Sequence, residues 1–277
     1  MRAISIPDTL TTENSGNYIV SIRLWPGGFS FSGYNPSVDD SFFYSETSFD
    51  RSAVYATALK EQFYSYEFLT WSYKAIHIIY VTPQYTLVPK GEMTEVQKRQ
   101  TFSFCFSEAN AVSLADDYRK GLEAEILFGV DEEVYAFCNR TFGNPTYYHH
   151  LSASIALWKK QSLSFSSRQL FVVLHHQMMD LVGIDQGKLL FANSYSIEKV
   201  EDALYYVLYV WKQQELDVQK DLLYVGGDLS LYRDLTVVLR DYLCNISPIP
   251  VPSEAYLVGS NVMKAPVDVI SYLICEL

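Results

Sequence analysis

The sequence contains no apolar run of about 18 residues, the length needed to cross a bilayer, so membrane spanning is not expected. Met1 to Thr12 holds one Arg and no apolar stretch of a secretory leader, so the expected location is the cytoplasm. Basic residues are scarce: 21 Lys and Arg stand against 32 Asp and Glu, a formal net charge of −11. A surface of that sign repels phosphate backbones and argues against nucleic acid as a partner. The only cysteines are Cys105, Cys138, Cys244 and Cys275, with no C-x-x-C pair among them. They offer no zinc site and too few bridges for a disulfide scaffold, and are expected to be buried thiols. There is no H-E-x-x-H and no G-x-S-x-G. His175 and His176, adjacent in sequence, would point to opposite faces of a strand and could not chelate one ion side by side.

What is present is apolar material, 49% of 277 residues, enough for one large domain or two smaller ones. It is patterned twice over in the same order. Tyr18 to Leu24 predicts a strand, Trp25 to Gly28 a turn, Phe29 to Gly33 a returning strand and Phe42 to Tyr44 a third. Leu170 to Leu174, His175 to Met178 and Asp180 to Ile184 repeat this, followed by the turn Asp185 to Lys188 and a strand at Leu189 to Ala192. Each set runs into a helix. In the first, Asp50 is the expected N-cap, with Tyr55, Ala58, Leu59, Phe63 and Tyr66 on one face. In the second, Ser196 is the expected N-cap, with Val200, Ala203, Leu204, Val207, Leu208 and Trp211 at helical spacing. Apolar strands then follow at Ile76 to Val81 and Leu222 to Val225, and the interval from N-cap to strand is 26 residues in both. Between the two sets, Thr101 to Phe106 and Ala124 to Val130 read as strands. Asp131 to Phe142 reads as a helix stopped by Gly143, and His150 to Gln161 as another. Cys138, inside the first of these, is expected to pack rather than react.

Two copies of three antiparallel strands, helix, strand and helix resemble the actin-like ATPase superfamily, whose halves are ribonuclease H-like and flank a nucleotide cleft. The segment from Leu222 through Val225, Gly226, Gly227 and Asp228 to Leu235 is similar to the family's adenosine segment. The resemblance implies that Gly226 and Gly227 let backbone approach a purine, with Leu231, Leu235, Val238 and Tyr242 anchoring the helix behind them. A plain strand-to-helix turn accounts for the same pair. The phosphate loops depart from the family. The first offers Arg23 and Trp25 where an acid for magnesium is expected, with Arg23 as the one nearby cation for phosphates. The second, His175 to Asp180, has no glycine, and its bulky side chains would obstruct a phosphate. Asp180 and Asp185 are expected to be solvated turn carboxylates, with no metal role.

The expected fold is therefore α/β, two tandem ribonuclease H-like halves related by internal duplication around a cleft. The first is residues 1–167, with an extra segment at about 101–161 and a serine-rich linker at 162–167; the second is 168–277. The expected function is that of a non-catalytic actin-like scaffold that binds a protein partner, without cofactor, resembling the pilus-assembly and type II secretion members or a bacterial family of unknown function. The alternative is a nucleotide-binding ATPase or phosphotransferase using ATP through Gly226 and Gly227. Tyr205, Tyr206 and Tyr209 lie partly outside a single buried stripe and suit either an interface or a helix covered on two sides. The proline-rich stretches Thr82 to Pro89 and Ile246 to Pro252 predict edge or docking strands.

Overall fold

Apolar side chains occupy both parities of Ile19–Trp25, as a central strand covered on both faces requires. In the computed structural model, which describes residues 3–50, 53–107 and 112–276, this segment is β1, with its five interior residues buried. It belongs to the first of two compact units, made of Met1–Arg119, Glu123–Ser152 and Pro252–Leu277. β2 (Gly28–Tyr34) returns antiparallel to it and β3 (Phe43–Ser48) antiparallel to β2; α1 (Tyr55–Ser65) then leads to β4 (Ala75–Tyr80), parallel to β1. β5 (Tyr85–Pro89), α2 (Glu95–Cys105), β6 (Val112–Tyr118) and β7 (Ala124–Asp131) come next, the strands forming an antiparallel sheet in the order β5-β7-β6. α3 (Glu132–Phe142) precedes β8 (Thr146–His149), which completes a five-stranded sheet in the order β3-β2-β1-β4-β8. Phe63 of α1 ties these layers together, its ring centroid 5.7 Å from that of Phe29, 5.4 Å from Phe137 and 5.5 Å from Phe142.

The second unit is Lys120–Leu122 and Ala153–Val251, and α4 (Ser152–Ser162) opens at its boundary. It contains β9 (Gln169–Leu174), β10 (Met178–Asp185), β11 (Lys188–Ser196), α5 (Val200–Gln213), β12 (Leu222–Gly227), α6 (Leu229–Leu239) and β13 (Ile246–Pro248). The sheet order is β11-β10-β9-β12-β13, with β10 antiparallel to both β11 and β9, and β12 and β13 parallel to β9. Strand for strand, this is the sequence of senses found in the first unit's five-stranded sheet. Alternation along β9 sends Leu170, Val172 and Leu174 against Val207 and Trp211 of α5 and Leu235 and Leu239 of α6. Phe171 points the other way and stacks on Trp158 of α4, 4.3 Å between centroids and 6° between planes. The chain ends with α7 (Val267–Glu276), in the first unit. No helix among the described residues is long and apolar enough to cross a membrane.

Several local expectations are corrected. Thr101 to Phe106 is not a strand but the last turn of α2 and its cap. A capping box between Thr94 and Gln97 starts the helix, and Lys98 and Phe102 form its buried stripe. Ser196 does not cap α5: it is paired with Met178 in β11, and the helix starts after Lys199, whose amide donates to Asp202. The first helix begins at Tyr55 after Val54, not directly after Asp50. Three of the four cysteines, Cys105, Cys244 and Cys275, are exposed because each sits at or beyond the solvent-facing end of a helix; Cys138 alone is buried. The second compact unit takes in α4 from Ala153, and the first takes in α7. α4 is held to Phe171 through Trp158, and α7 is held to β1 through a buried ion pair described below.

Candidate functional site

The β1–β2 hairpin closes on Pro26 and Gly27, with Trp25 opposite Gly28. A Cβ on Gly28 would lie 2.9 Å from Trp25 Cζ2 and from the Ser48 Cα, so the indole packs down on the turn only because that position has no side chain. Arg23, expected to be the cation available to phosphates, is not available. It is buried, and its Nε donates to Asp268 Oδ2 of α7 at 2.6 Å, while its guanidinium carbon stands 5.1 Å from the Trp25 ring centroid. Next to this hairpin, the C-terminal ends of β1, β4 and β7 and the start of α1 surround a cavity of about 310 Å³, lined by Trp25, Pro26, Tyr55, Tyr80, Asp131 and Glu133. The Tyr55 hydroxyl donates to the Gly28 carbonyl at 3.1 Å, and the Tyr80 hydroxyl accepts from the Asp131 amide at 3.2 Å. Burial raises both phenols above their ordinary range, so both stay neutral. Asp131 Oδ1 caps α3 by accepting from the Val134 amide at 3.0 Å. Glu133 meets Lys60 at 3.4 Å on the exposed rim.

In the second unit the β9–β10 turn is closed by the His175 amide donating to the Met178 carbonyl at 2.7 Å. Asp180 is fully buried, contrary to the expectation of a solvated turn acid, because it lies within β10 directly opposite Ser194 of β11. It accepts from the Ser194 hydroxyl and meets His175 Nε2 at 2.7 Å. Asp185 does sit at a turn, opposite Lys188.

Gly226 and Gly227 end β12 opposite Val173 and Leu174. Gly227 has φ +102°, and a Cβ there would fall on the Leu174 carbonyl and 2.6 Å from its amide nitrogen. A Cβ on Gly226 would meet the Ile249 side chain at 2.9 Å. The Asp228 amide donates to Leu174 O at 2.8 Å, and its carboxylate caps α6 through the Ser230 and Leu231 amides. Burial opposes ionisation of Asp228, but these bonds, the Ser230 hydroxyl and the charge of His176 outweigh it and hold the carboxyl below its ordinary range. Behind the turn α6 buries Leu235, Thr236 and Leu239, while Tyr242 is exposed. On α5, Trp211 is buried and Tyr206 stacks on Tyr195 at 4.5 Å, but Tyr205 and Tyr209 are 61% and 48% exposed and stacked on each other.

Sequence reasoning missed one further cluster, in the first unit. Asp117 of β6 is buried and accepts from the His149 amide at 2.9 Å. Burial pushes its carboxyl up to about 6, against the lowering influence of Ser152, Arg119 and the His149 amide. Arg119 lies over the rings of Tyr148 and Tyr272, at 3.9 and 4.8 Å, and pairs with Glu276 at 2.6 Å. The Leu151 amide donates to His149 Nδ1, which leaves the proton on Nε2 to donate to the Thr82 carbonyl at 3.1 Å. Elsewhere in this unit, burial raises the Cys138 thiol to about 12, which keeps it protonated near neutral pH.

The paired sheets and crossover helices define an actin-like ATPase fold. A crystal structure from Bacteroides thetaiotaomicron VPI-5482, of a protein with actin-like ATPase fold and unknown function, superposes with a TM-score of 0.82 at 26% identity, covering 95% of this chain and 99% of that one. A PilM–PilN type IV pilus biogenesis complex contains a chain that superposes with a TM-score of 0.50 at 12% identity, over 92% of this chain and 94% of that one. Residues 7–246 match the sequence model of a family described as Protein of unknown function (DUF3822), and the chain belongs to that family. Among curated proteins no sequence matches.

Proposed function

We propose that this protein is a non-catalytic member of the actin-like fold whose nucleotide site is eroded and which acts in the cytoplasm by binding another protein. The observation that carries the reading is the burial of Arg23 against Asp268, which removes the one basic group at the first phosphate hairpin. The residues present fit a magnesium nucleotide poorly. The first hairpin presents Trp25 and Pro26 rather than a carboxylate, and in the second the acid, Asp180, is bound to His175 and Ser194. The space left by Gly226 and Gly227, where a purine would lie, is taken by Ile249 and by the Leu174 backbone. The exposed, stacked Tyr205 and Tyr209 support a protein partner, as does the presence of a similarly folded chain in a PilM–PilN complex. The matching strand order and senses of the two five-stranded sheets support an internal duplication, with halves at about 1–167 and 168–277.

Thermal unfolding in the presence of magnesium and ATP tests the first half of this reading. A ligand at 100 times its dissociation constant adds about 2.7 kcal/mol. No shift is expected, and a saturable one would establish an ATP-binding protein instead. The second half is tested by sizing the endogenously tagged chain under native conditions. It should migrate well above its 31.7 kDa whether or not ATP is depleted, and migration as a lone monomer would overturn the partner.

A further inference from the structure

The cavity beside the β1–β2 hairpin has a chemistry opposite to that of a phosphate site. Its wall combines three aromatic side chains, Trp25, Tyr55 and Tyr80, with two carboxylates, Asp131 and Glu133, and among the described residues no base lines it. Of the described bases, Arg23 on β1 is paired with Asp268 and Lys60 with Glu133, the latter on the exposed rim. The phenols are neutral and anchored to backbone, so the rings are held in place and add no charge. Aromatic faces attract cations, guanidinium above all, and carboxylates at the rim fix their position, whereas an anion would meet the like charge of Asp131. Trp25 already shows this preference, with the Arg23 guanidinium beside its ring. At about 310 Å³ the cavity lies at the small end of the range for ligand sites, roughly 300–1,000 Å³, which suits one side chain rather than a nucleotide.

We propose that this cavity is a receptor for an arginine side chain of the protein partner, its guanidinium held between the aromatic wall and the carboxylates of Asp131 and Glu133. The proposal rests on the protein-binding reading above and names the chemistry of the group recognised. Asp131 is suited to a double duty, since one oxygen caps α3 while its charge faces the cavity. Asn at that position keeps the cap and removes the charge, which separates recognition from folding.

The test uses the full chain labelled with 5-fluorotryptophan. Its four tryptophans give separate ¹⁹F resonances, and that of Trp25 is assigned with Trp25→Phe. N-acetyl-arginine methylamide, titrated to about 10 mM, should shift the Trp25 resonance saturably, and the citrulline analogue, neutral but of the same shape, should do so at least about tenfold more weakly. Asp131→Asn combined with Glu133→Gln should weaken the arginine response at least about tenfold while leaving the melting temperature unchanged. Equal responses to arginine and citrulline, no shift of the Trp25 resonance, or an undiminished response in the double variant would each overturn the proposal. Agmatine supplies the same guanidinium from a free metabolite, and binding about tenfold tighter than the capped arginine would overturn a protein source. The two readings fail separately: ATP binding with an intact arginine response removes only the non-catalytic one, and an inert cavity in an ATP-blind protein removes only this one.

Discussion

Replacing Gly227 with Val separates a structural glycine from a ligand-contacting one. The native φ of +102° lies where an L side chain is strained, at a cost of about 1–3 kcal/mol. The new Cβ would also fall on the Leu174 carbonyl and amide, and these are backbone atoms in the β9–β12 ladder that cannot rotate away. The strands must part locally, weakening the Gly227–Leu174 pairing and the bond from the Asp228 amide to Leu174 O, each worth about 1 kcal/mol. The expected loss is about 4 kcal/mol, which lowers the melting temperature by about 10 °C in a protein of this size. Gly226→Ala is the control, because its Cβ meets the free end of Ile249, which can swing aside, and it should cost less than about 1 kcal/mol. Urea unfolding is read from Trp158 and Trp211, both buried in the same unit as the glycines, with Trp25 and Trp71 replaced by Phe. An unchanged midpoint in Gly227→Val would refute the steric argument. If ATP affinity were lost at the same time, the glycine would lie against a ligand and the non-catalytic reading would fall.

Arg23→Met should cost about 3–5 kcal/mol in chemical denaturation because it strands the buried Asp268 carboxylate, and adding Asp268→Leu should restore most of it. Asp117 should make the protein less stable as pH rises. Its folded value near 6 exceeds the ordinary 3.8, so the unfolded state ionises first, stability falls from about pH 4 to pH 6, and the deficit of about 3 kcal/mol is complete above that. Asp117→Asn should therefore gain relative to wild type by about that amount between pH 4 and pH 7, and parallel pH profiles would contradict it. Thr94→Ala should remove the α2 capping box and raise hydrogen exchange in that helix by about 1 kcal/mol of opening free energy, with no effect on the second unit.

What was legible in the sequence was local and periodic. The stripe Ala203, Val207, Trp211 defines α5, and Asp131 and Gly143 delimit α3 at its N-cap and its left-handed C-cap. The first four strands of each five-stranded sheet were visible as apolar runs separated by turns, whereas β8 was not. α2 was hidden because Thr101-Phe-Ser-Phe-Cys-Phe106 alternates like a half-buried strand, and the signal that overrides it, Thr94 with Gln97, lies seven residues upstream. Asp180 was misjudged because its burial depends on Ser194 across the strand, which a turn pattern does not report. The cavity was illegible for the same reason on a longer scale: Trp25, Tyr55, Tyr80 and Asp131 come from four separate elements. The pairing that neutralises Arg23 spans 245 residues.

That long pairing bears on why the fold would persist without nucleotide chemistry. In an open α/β sheet the carboxyl ends of the parallel strands are where ligands bind, whatever the ligand is. Here those ends retain a cavity while its charge runs opposite to a phosphate site, because α7 brings Asp268 to the one cation on β1 and leaves Asp131 and Glu133 facing the opening. A buried ion pair is weak evidence for stability, since well-packed apolar residues would serve as well or better. Its effect on the site is more specific. With Arg23 drawn to Asp268, Trp25 and the two acids line the opening, and the proposed arginine receptor stands or falls with that arrangement.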